Sequence, residues 1–280
     1  MSLFCLRTGE EQNIVTKTST KRTITRYVHG ITEKVEDTIA TEKPFTIKLN
    51  EKEFATLVCT AEYIEDMVIG FLASEGVIRK FADIDDLWIQ EKEGFVHVKT
   101  HYTNSFYEKF HSKRYITSCC GKSRQGFVFF NDARLSHHFK QVNVRLTYQD
   151  CFRLMEEMQS RSAVFQETGG VHNAALCTRD GVLLSRLDIG RHNALDKIYG
   201  HCLRHQVSLE DKIIVFSGRI SSEIVTKVAK IGCEVVLSKS APTEMALELA
   251  EELGMTTVGF IRNNALNVYT RPDRIVEVID

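Results

Sequence analysis

From Ala174 to Ile261 the chain repeats one pattern: a short apolar run, a loop of small and polar residues, then a stretch with helical apolar spacing. The runs are Ile213-Ile214-Val215-Phe216, Glu234-Val235-Val236-Leu237 and Thr257-Val258-Gly259-Phe260-Ile261. Between them, Ile224, Val225, Val228 and Ile231 precede Gly232, and Ala246, Leu249 and Leu253 precede Gly254. Runs this short suit buried strands, and strands separated by helices need crossover connections. The expected fold is therefore α/β, with a mostly parallel sheet carrying helices on both faces. Ahead of it, Ala174-Ala175-Leu176-Cys177 and Val182-Leu183-Leu184 flank an Arg179-Asp180-Gly181 turn and predict a hairpin, followed by a helix with Leu195, Ile198, Cys202 and Leu203. Thr147 is a suitable N-cap for a helix that places Cys151, Met155 and Met158 on one stripe.

A second unit precedes this region, in keeping with a length of 280 residues, more than the roughly 100 to 200 typical of one domain. Phe45, Ile47 and Leu49 alternate with polar residues, and Phe54 to Cys59 follow after Asn50-Glu51-Lys52-Glu53, which predicts a hairpin. Ile64, Val68, Phe71 and Leu72 then share one helical face closed by Gly76, with strands expected near residues 86–89 and 95–98. Residues 1–25 are polar and threonine-rich without an apolar period. The expected domains are a flexible arm over 1–25, a small α+β domain over 26–112, and the α/β domain over 113–280.

In a sheet of this kind ligands bind beyond the carboxyl ends of the strands. Ser217-Gly218-Arg219-Ile220-Ser221-Ser222 and Ser238-Lys239-Ser240-Ala241-Pro242-Thr243 stand there, each before a helix, and Arg262-Asn263-Asn264 follows the last strand. Free amides, the positive end of a helix dipole and a nearby cation suit a phosphate. Each segment alone reads first as ordinary capping; three at one edge point to a large phosphorylated ligand. Thr168-Gly169-Gly170-Val171-His172-Asn173 and Asp188-Ile189-Gly190-Arg191-His192-Asn193 add histidines beside glycines that permit positive φ and close backbone approach. His172 and His192 are candidates for ligand contact or for structural roles. Asp188 can orient a histidine, bind a guanine-type edge or close its loop through an ion pair with Arg191.

Of eight cysteines, Cys119 and Cys120 stand apart, because they are adjacent and followed by Gly121, Lys122 and Arg124. Neighbouring cations lower a thiol pKa from about 8.5 toward neutrality and so favour the nucleophilic thiolate. A buried pair inside a strand is the alternative, although the glycine and polar residues after it favour a loop. No HxE with PCxxC occurs, so zinc is not expected. A formal charge of -1 gives no global attraction to nucleic acid. No apolar run approaches the roughly 18 residues of a membrane span, and no secretory signal opens the chain, so a cytoplasmic protein with reduced thiols is expected.

Together these segments resemble the formate dehydrogenase accessory sulfurtransferase family, FdhD, from about Arg26 to Ile275. The resemblance rests on the cysteine loop, TGGVHNAAL (168–176), DIGRHNALDK (188–197), SGRISSEIVTKVAKIG (217–232), SKSAPTEMALELAEELG (238–254) and GFIRNNALNVYT (259–270). It implies a smaller N-terminal α+β domain and a cytidine-deaminase-like three-layer α/β/α domain without zinc, in a homodimer. It also implies transfer of sulfur from a cysteine desulfurase to the molybdenum bis(molybdopterin guanine dinucleotide) cofactor that formate dehydrogenase needs, with GDP as a mimic of that cofactor. By motif, Cys120 matches the family's persulfide cysteine, and Phe260, Ile261, Arg262, Asn263, Asn264 and Ala265 match its cofactor-binding stretch. Arg219, Lys239 and Arg262 are expected to pair with phosphates, with Ser240, Gly170, Gly190, His172 and His192 also at the ligand. Many members carry CGxC, whereas Cys120-Gly121-Lys122-Ser123 has serine at the second position and Cys119 ahead of the first. Cys120 is therefore the expected carrier and Cys119 a helper. A cofactor chaperone that handles no sulfur is the competing reading, and a deaminase relative a weaker one.

Overall fold

The computed structural model describes residues 18–101, 114–116 and 137–278. Strands β1 (Ser19–Val28) and β2 (Ile31–Ala40) form an antiparallel hairpin whose turn residues, His29 and Gly30, both take positive φ. The expected arm therefore gives way to a strand at Ser19, since Ser19 to Thr25 pair residue for residue with Ala40 to Lys34. The threonines that break any helical period are good strand formers.

The small domain is a sheet of β3 (Lys43–Leu49), β4 (Lys52–Cys59), β5 (Ile84–Gln90), β6 (Phe95–Thr100) and β7 (Arg114–Ile116), in the order β5-β6-β3-β4-β7. Helix α1 (Ile64–Ser74) lies against it, and Met67, Val68 and Leu72 close a core with Phe45, Ile47 and Leu57. The sheet runs past the expected boundary at residue 112, because Arg114 to Ile116 pair with Ala55 to Leu57 and satisfy an otherwise open edge of β4.

The large domain opens with β8 (Leu146–Thr147), α2 (Tyr148–Ser160) and α3 (Ala163–Thr168). Thr147 caps α2 as expected, accepting from Asp150 N at 3.1 Å while Asp150 Oδ2 accepts from Thr147 N at 3.0 Å. There follow β9 (His172–Thr178), β10 (Gly181–Asp188), α4 (Arg191–His205), β11 (Ile213–Phe216), α5 (Ser222–Ile231), β12 (Val235–Ser238), α6 (Glu244–Leu253), β13 (Thr256–Arg262), β14 (Ala265–Thr270) and β15 (Ile275–Val276). The main sheet has the order β10-β9-β11-β12-β13-β14. It is mixed, not mostly parallel: only β11, β12 and β13 run side by side in one direction. The hairpin turns at Arg179-Asp180 and Asn263-Asn264 supply the antiparallel members.

Alternation along the strands makes three layers. Ala175, Cys177, Val215, Leu237 and Val258 face Cys151, Leu154, Met155 and Met158 of α2. Ala174, Leu176, Ile214, Phe216 and Val236 face α4, α5 and α6 through residues such as Ile198, Val225 and Leu249. The two domains join where α1 crosses α4 at Gly70 and Gly200. A Cβ on either would run into the backbone carbonyl of Asp196 or Asp66, so this approach needs glycine on both helices. Glycine inside a helix costs about 0.5–1 kcal/mol each, which the contact offsets.

Candidate functional site

Strands β10, β11, β12 and β13 share one direction, so their carboxyl ends meet at one edge, together with the start of the opposed β9. This edge gathers Gly170, His172, Gly190, His192, Arg219, Lys239, Ser240 and Phe260. The loops are tied to one another. Ser238 Oγ donates to Gly218 O (2.7 Å), Ser240 Oγ to Ser217 O (3.0 Å), Ile220 N to Ala241 O (3.1 Å) and Phe260 N to Ser240 O (3.2 Å). Ser217 Oγ accepts from Asn173 N at 3.0 Å and lies 3.5 Å from His172 Nδ1.

Ordinary capping does not account for the hydroxyls here. Ser221 precedes α5 and Thr243 precedes α6, yet neither side chain bonds its helix, and Gly190 ahead of α4 has no side chain to do so. Three helix starts, of 15, 10 and 10 residues, thus present amides without side-chain caps along one edge. Arg191, Arg219 and Lys239 stand beside them. Lys239 Nζ donates to the neutral Gln159 Oε1 at 2.9 Å, and among the described residues no carboxylate forms an ion pair with any of the three.

Buried polar atoms without hydrogen bonds collect at the same edge. They are both amide atoms of Asn173, which is 1% exposed, Ser221 Oγ, Arg191 Nε and His192 Nε2. An unsatisfied buried group costs about 1–3 kcal/mol, so such a cluster suits a place that a polar ligand completes. The sequence places Asn173 in the His172 loop without assigning it a role. Its signal was available: it follows His172 in a strand that is otherwise apolar inward, where an amide needs a partner.

Asp188 does something else. Its buried carboxylate holds Lys197 Nζ at 2.7 Å, and accepts from Thr60 N (3.0 Å), Gly190 N (2.8 Å) and Asn193 Nδ2 (2.9 Å). Lys197, also fully buried, donates to Thr60 O and Leu187 O at 3.1 Å each, and Asn193 Nδ2 donates to Val58 O at 2.9 Å. The partner is thus Lys197, not Arg191, and the cluster clamps the end of β4 onto the large domain. Gly190 belongs to this clamp. Its φ is -99°, and a Cβ would meet Asn193 Nδ2 at 2.9 Å, so it makes room for the asparagine. Gly170 likewise has no positive φ, and it abuts Ala40 of β2.

Both histidines take up a proton less readily than a free imidazole. Burial pushes the His172 pKa down, assisted by Arg191, opposed by Asp188 and assisted more weakly by His192. Burial does the same to His192, helped by Lys227 and Arg191 and opposed by Glu223, whose Oε2 lies 3.1 Å from Nε2 in poor hydrogen-bond alignment.

The last expected loop is a hairpin turn and not a helix start. Asn263 (φ 51°) and Asn264 (φ 54°) close it, with Arg262 paired to Ala265. Arg262, Asn263, Asn264 and Ala265 are exposed, Arg262 stacks 5.3 Å over the Phe260 ring, and Ile261 turns into the core. Phe260 takes φ 55°, a conformation that costs a bulky residue about 1–3 kcal/mol and tends to mark functional sites.

Cys119 and Cys120 lie outside the described residues. Burial pushes the thiols of Cys59, Cys151, Cys177 and Cys202 up to about 12, and that of Cys233 well above its ordinary value. None of these five is a nucleophile near neutral pH. Among the described residues, no group of three or more His, Cys, Asp or Glu side chains could hold a metal ion, and no helix is long and apolar enough to cross a membrane.

Residues 40–276 match the model of the FdhD/NarQ family. The chain belongs to that family. The sulfur carrier protein FdhD of Shouchella clausii (strain KSM-K16) is 54% identical over 266 residues, covering 95% of this chain and 98% of that protein. The sulfur carrier protein FdhD of Bacillus subtilis (strain 168) is 52% identical over 261 residues, covering 93% and 99%. In fold, this FdhD/NarQ member is similar to a putative formate dehydrogenase accessory protein from Desulfotalea psychrophila. That similarity has a TM-score of 0.73 at 23% identity and covers 92% of this chain and all of the other.

Two outcomes are expected. Lys197→Met should destabilise the protein by about 3–5 kcal/mol, because it strands the buried Asp188 carboxylate, and adding Asp188→Asn should recover part of that loss. Urea midpoints of the three proteins check this; an undisturbed Lys197→Met midpoint contradicts it. Secondly, His172 and His192 bind protons less readily folded than unfolded, so their stabilising effect is complete above the ordinary histidine value of 6.5 and declines as pH falls below it. A His172→Gln/His192→Gln variant should lose less stability than wild type between neutral and mildly acidic pH, and parallel melting-temperature profiles would count against this.

Proposed function

We propose that this chain is a sulfur carrier that serves formate dehydrogenase maturation, with Cys120 as the carrying atom's host. The Cys120 thiolate attacks the outer sulfur of a persulfide on a cysteine desulfurase. A new S–S bond forms to Cys120, the donor's S–S bond breaks, and the donor cysteine leaves as a thiolate, so no electrons are gained or lost. In the second transfer the S–S bond to Cys120 breaks, Cys120 leaves as a thiolate, and the outer sulfur bonds to the substrate, the molybdenum bis(molybdopterin guanine dinucleotide) cofactor in its reduced form, whose metal would supply the two electrons that take the sulfur to the sulfide level.

The observation that carries this reading is the convergence of α4, α5 and α6 starts with Arg191, Arg219 and Lys239 at one sheet edge, beside buried polar atoms without partners. Such an edge suits the pyrophosphates and ring edges of a dinucleotide-bearing molecule. Arg219 and Lys239 would take phosphate oxygens, Ser240 and His172 would lie alongside, and Arg262 with Phe260 would flank the ligand from the β13–β14 turn. The names of the relatives support the sulfur chemistry. So does the distribution of thiols: the described cysteines are buried, whereas Cys120 has Lys122 and Arg124 nearby in sequence to favour a thiolate. Thiol chemistry of this kind belongs in the reducing cytoplasm.

Loading the protein with a cysteine desulfurase and cysteine, then mapping the Cys119-Cys120 peptide by mass spectrometry, tests the reading. Wild type and Cys119→Ala should gain the mass of one sulfur atom, and Cys120→Ala should not. If no form gains it while the dinucleotide cofactor still binds, the protein is a cofactor chaperone instead.

A further inference from the structure

The register of the main sheet sets Asn173 and Lys239 in one row at the ligand edge. Ala175, Val215, Leu237 and Val258 lie abreast across four strands and pack against α2. Two residues nearer the edge, the corresponding positions hold Asn173, Ser217, Lys239 and Phe260. Strand residues two apart share a face, so Asn173 looks to the same side as Ala175 and Cys177. Lys239 does so too, since its Nζ donates to Gln159 Oε1 of α2 at 2.9 Å. Of these two, only Asn173 has a side chain with nothing to bond. Its backbone is fixed, with N–H donating to Ser217 Oγ and the carbonyl accepting from Ser217 N, both at 3.0 Å. Its side-chain Nδ2 and Oδ1 have no partner, and the residue is 1% exposed. The free fold gains nothing from such an amide, because an apolar group of the same shape would serve it as well or better. An amide without a bond at rest also gives none up when it changes rotamer toward a ligand.

The amide itself selects its partner. It offers an N–H donor beside a carbonyl acceptor, which matches a ring that carries a carbonyl next to an N–H. Guanine and pterin both present this lactam edge, and both belong to the cofactor proposed above as the substrate. Neighbouring strands lie about 5 Å apart, so the Asn173 and Lys239 backbones stand about 10 Å from one another. One nucleotide can therefore set its ring edge at the amide and a phosphate at the ammonium. We propose that Asn173 orients the ring of the bound molecule: Nδ2 donates to the ring carbonyl and Oδ1 accepts from the adjacent ring N–H, with Lys239 on a phosphate of the same molecule. This role rests on the dinucleotide reading of the edge and adds to it the residue that holds the ring. Adenine would satisfy a flipped amide equally, so the informative change is removal of the ring N–H, not exchange of the base.

Titration of the full chain with two ligand pairs tests this: GDP against GDP methylated at the lactam nitrogen, and hydroxymethylpterin diphosphate against its counterpart methylated at the same position. Wild type should bind the unmethylated member of at least one pair tenfold or more tightly than the methylated one, and the pair that shows this identifies the ring. In Asn173→Leu, which keeps the shape and cannot hydrogen-bond, the preference should vanish, the unmethylated ligand falling to the level of the methylated one. Without ligand, Asn173→Leu should melt at the wild-type temperature or above it, whereas loss of a merely structural amide would lower that temperature. Wild type that binds no member of either pair overturns the proposal together with the dinucleotide reading. If wild type binds but ignores the methyl group, if Asn173→Leu keeps the preference, or if the variant melts lower, the role of Asn173 is overturned while that reading stands.

Discussion

The buried pair of Asp188 and Lys197 holds the architecture together. Removing a carboxylate and an ammonium from water costs several kcal/mol per ion, and only a complete set of partners makes that tolerable. Here the set is complete, and much of it comes from the other domain: Thr60 supplies an N–H to Asp188 and a carbonyl to Lys197, and Val58 accepts from Asn193. The same ions therefore fix the end of the small sheet, the turn out of β10 and the first turn of α4. The crossing of Gly70 on Gly200 brings the two helices close enough for this clamp to close. Beside it, Arg186 pairs with Asp66 at 3.3 Å under the Tyr63 ring, and Ser74 donates to Asp196 at 2.8 Å.

Beside the clamp, the loops of the sheet edge are spaced by hydrogen bonds among Ser217, Gly218, Ser238 and Ser240. Polar groups left without partners inside such a frame have not been compensated by local adjustment. Asn173 is the clearest case, because its backbone N–H donates to Ser217 Oγ and its carbonyl accepts from Ser217 N, while both amide atoms of the side chain have no partner. The left-handed Phe260 is a second concession at the same edge, stabilised by a bulge between Gly259 and Arg262, where a Cβ on Gly259 would lie 3.0 Å from Ser240 O.

Much of the fold was legible in the sequence. Apolar runs too short for helices gave β11, β12 and β13, glycines marked the ends of α5 and α6, and Thr147 announced α2. Three features were not. The Asn263-Asn264 turn lacks the glycine that usually flags a tight hairpin, so β14 was hidden and the sheet looked mostly parallel. Ser19–Thr25 alternates apolar and charged residues too sparsely to separate a ribbon from a polar arm. Lys197 sits among helical core residues, where a charge pattern gives no hint of a partner nine residues back. Within the site, the phosphate-suited loops were readable because small hydroxyl residues and cations precede helices. Gly190 also makes room for Asn193, which the sequence does not reveal, since a glycine looks the same whether it approaches a ligand or a neighbouring asparagine.

Calorimetric titration with GDP measures most directly whether this edge grips a guanine-bearing diphosphate. The expected result is saturable binding to wild type that weakens with salt and falls at least tenfold in Arg219→Ala/Lys239→Ala. Binding that ignores both the salt and the substitutions, or no binding at all by the folded wild-type protein, would contradict it.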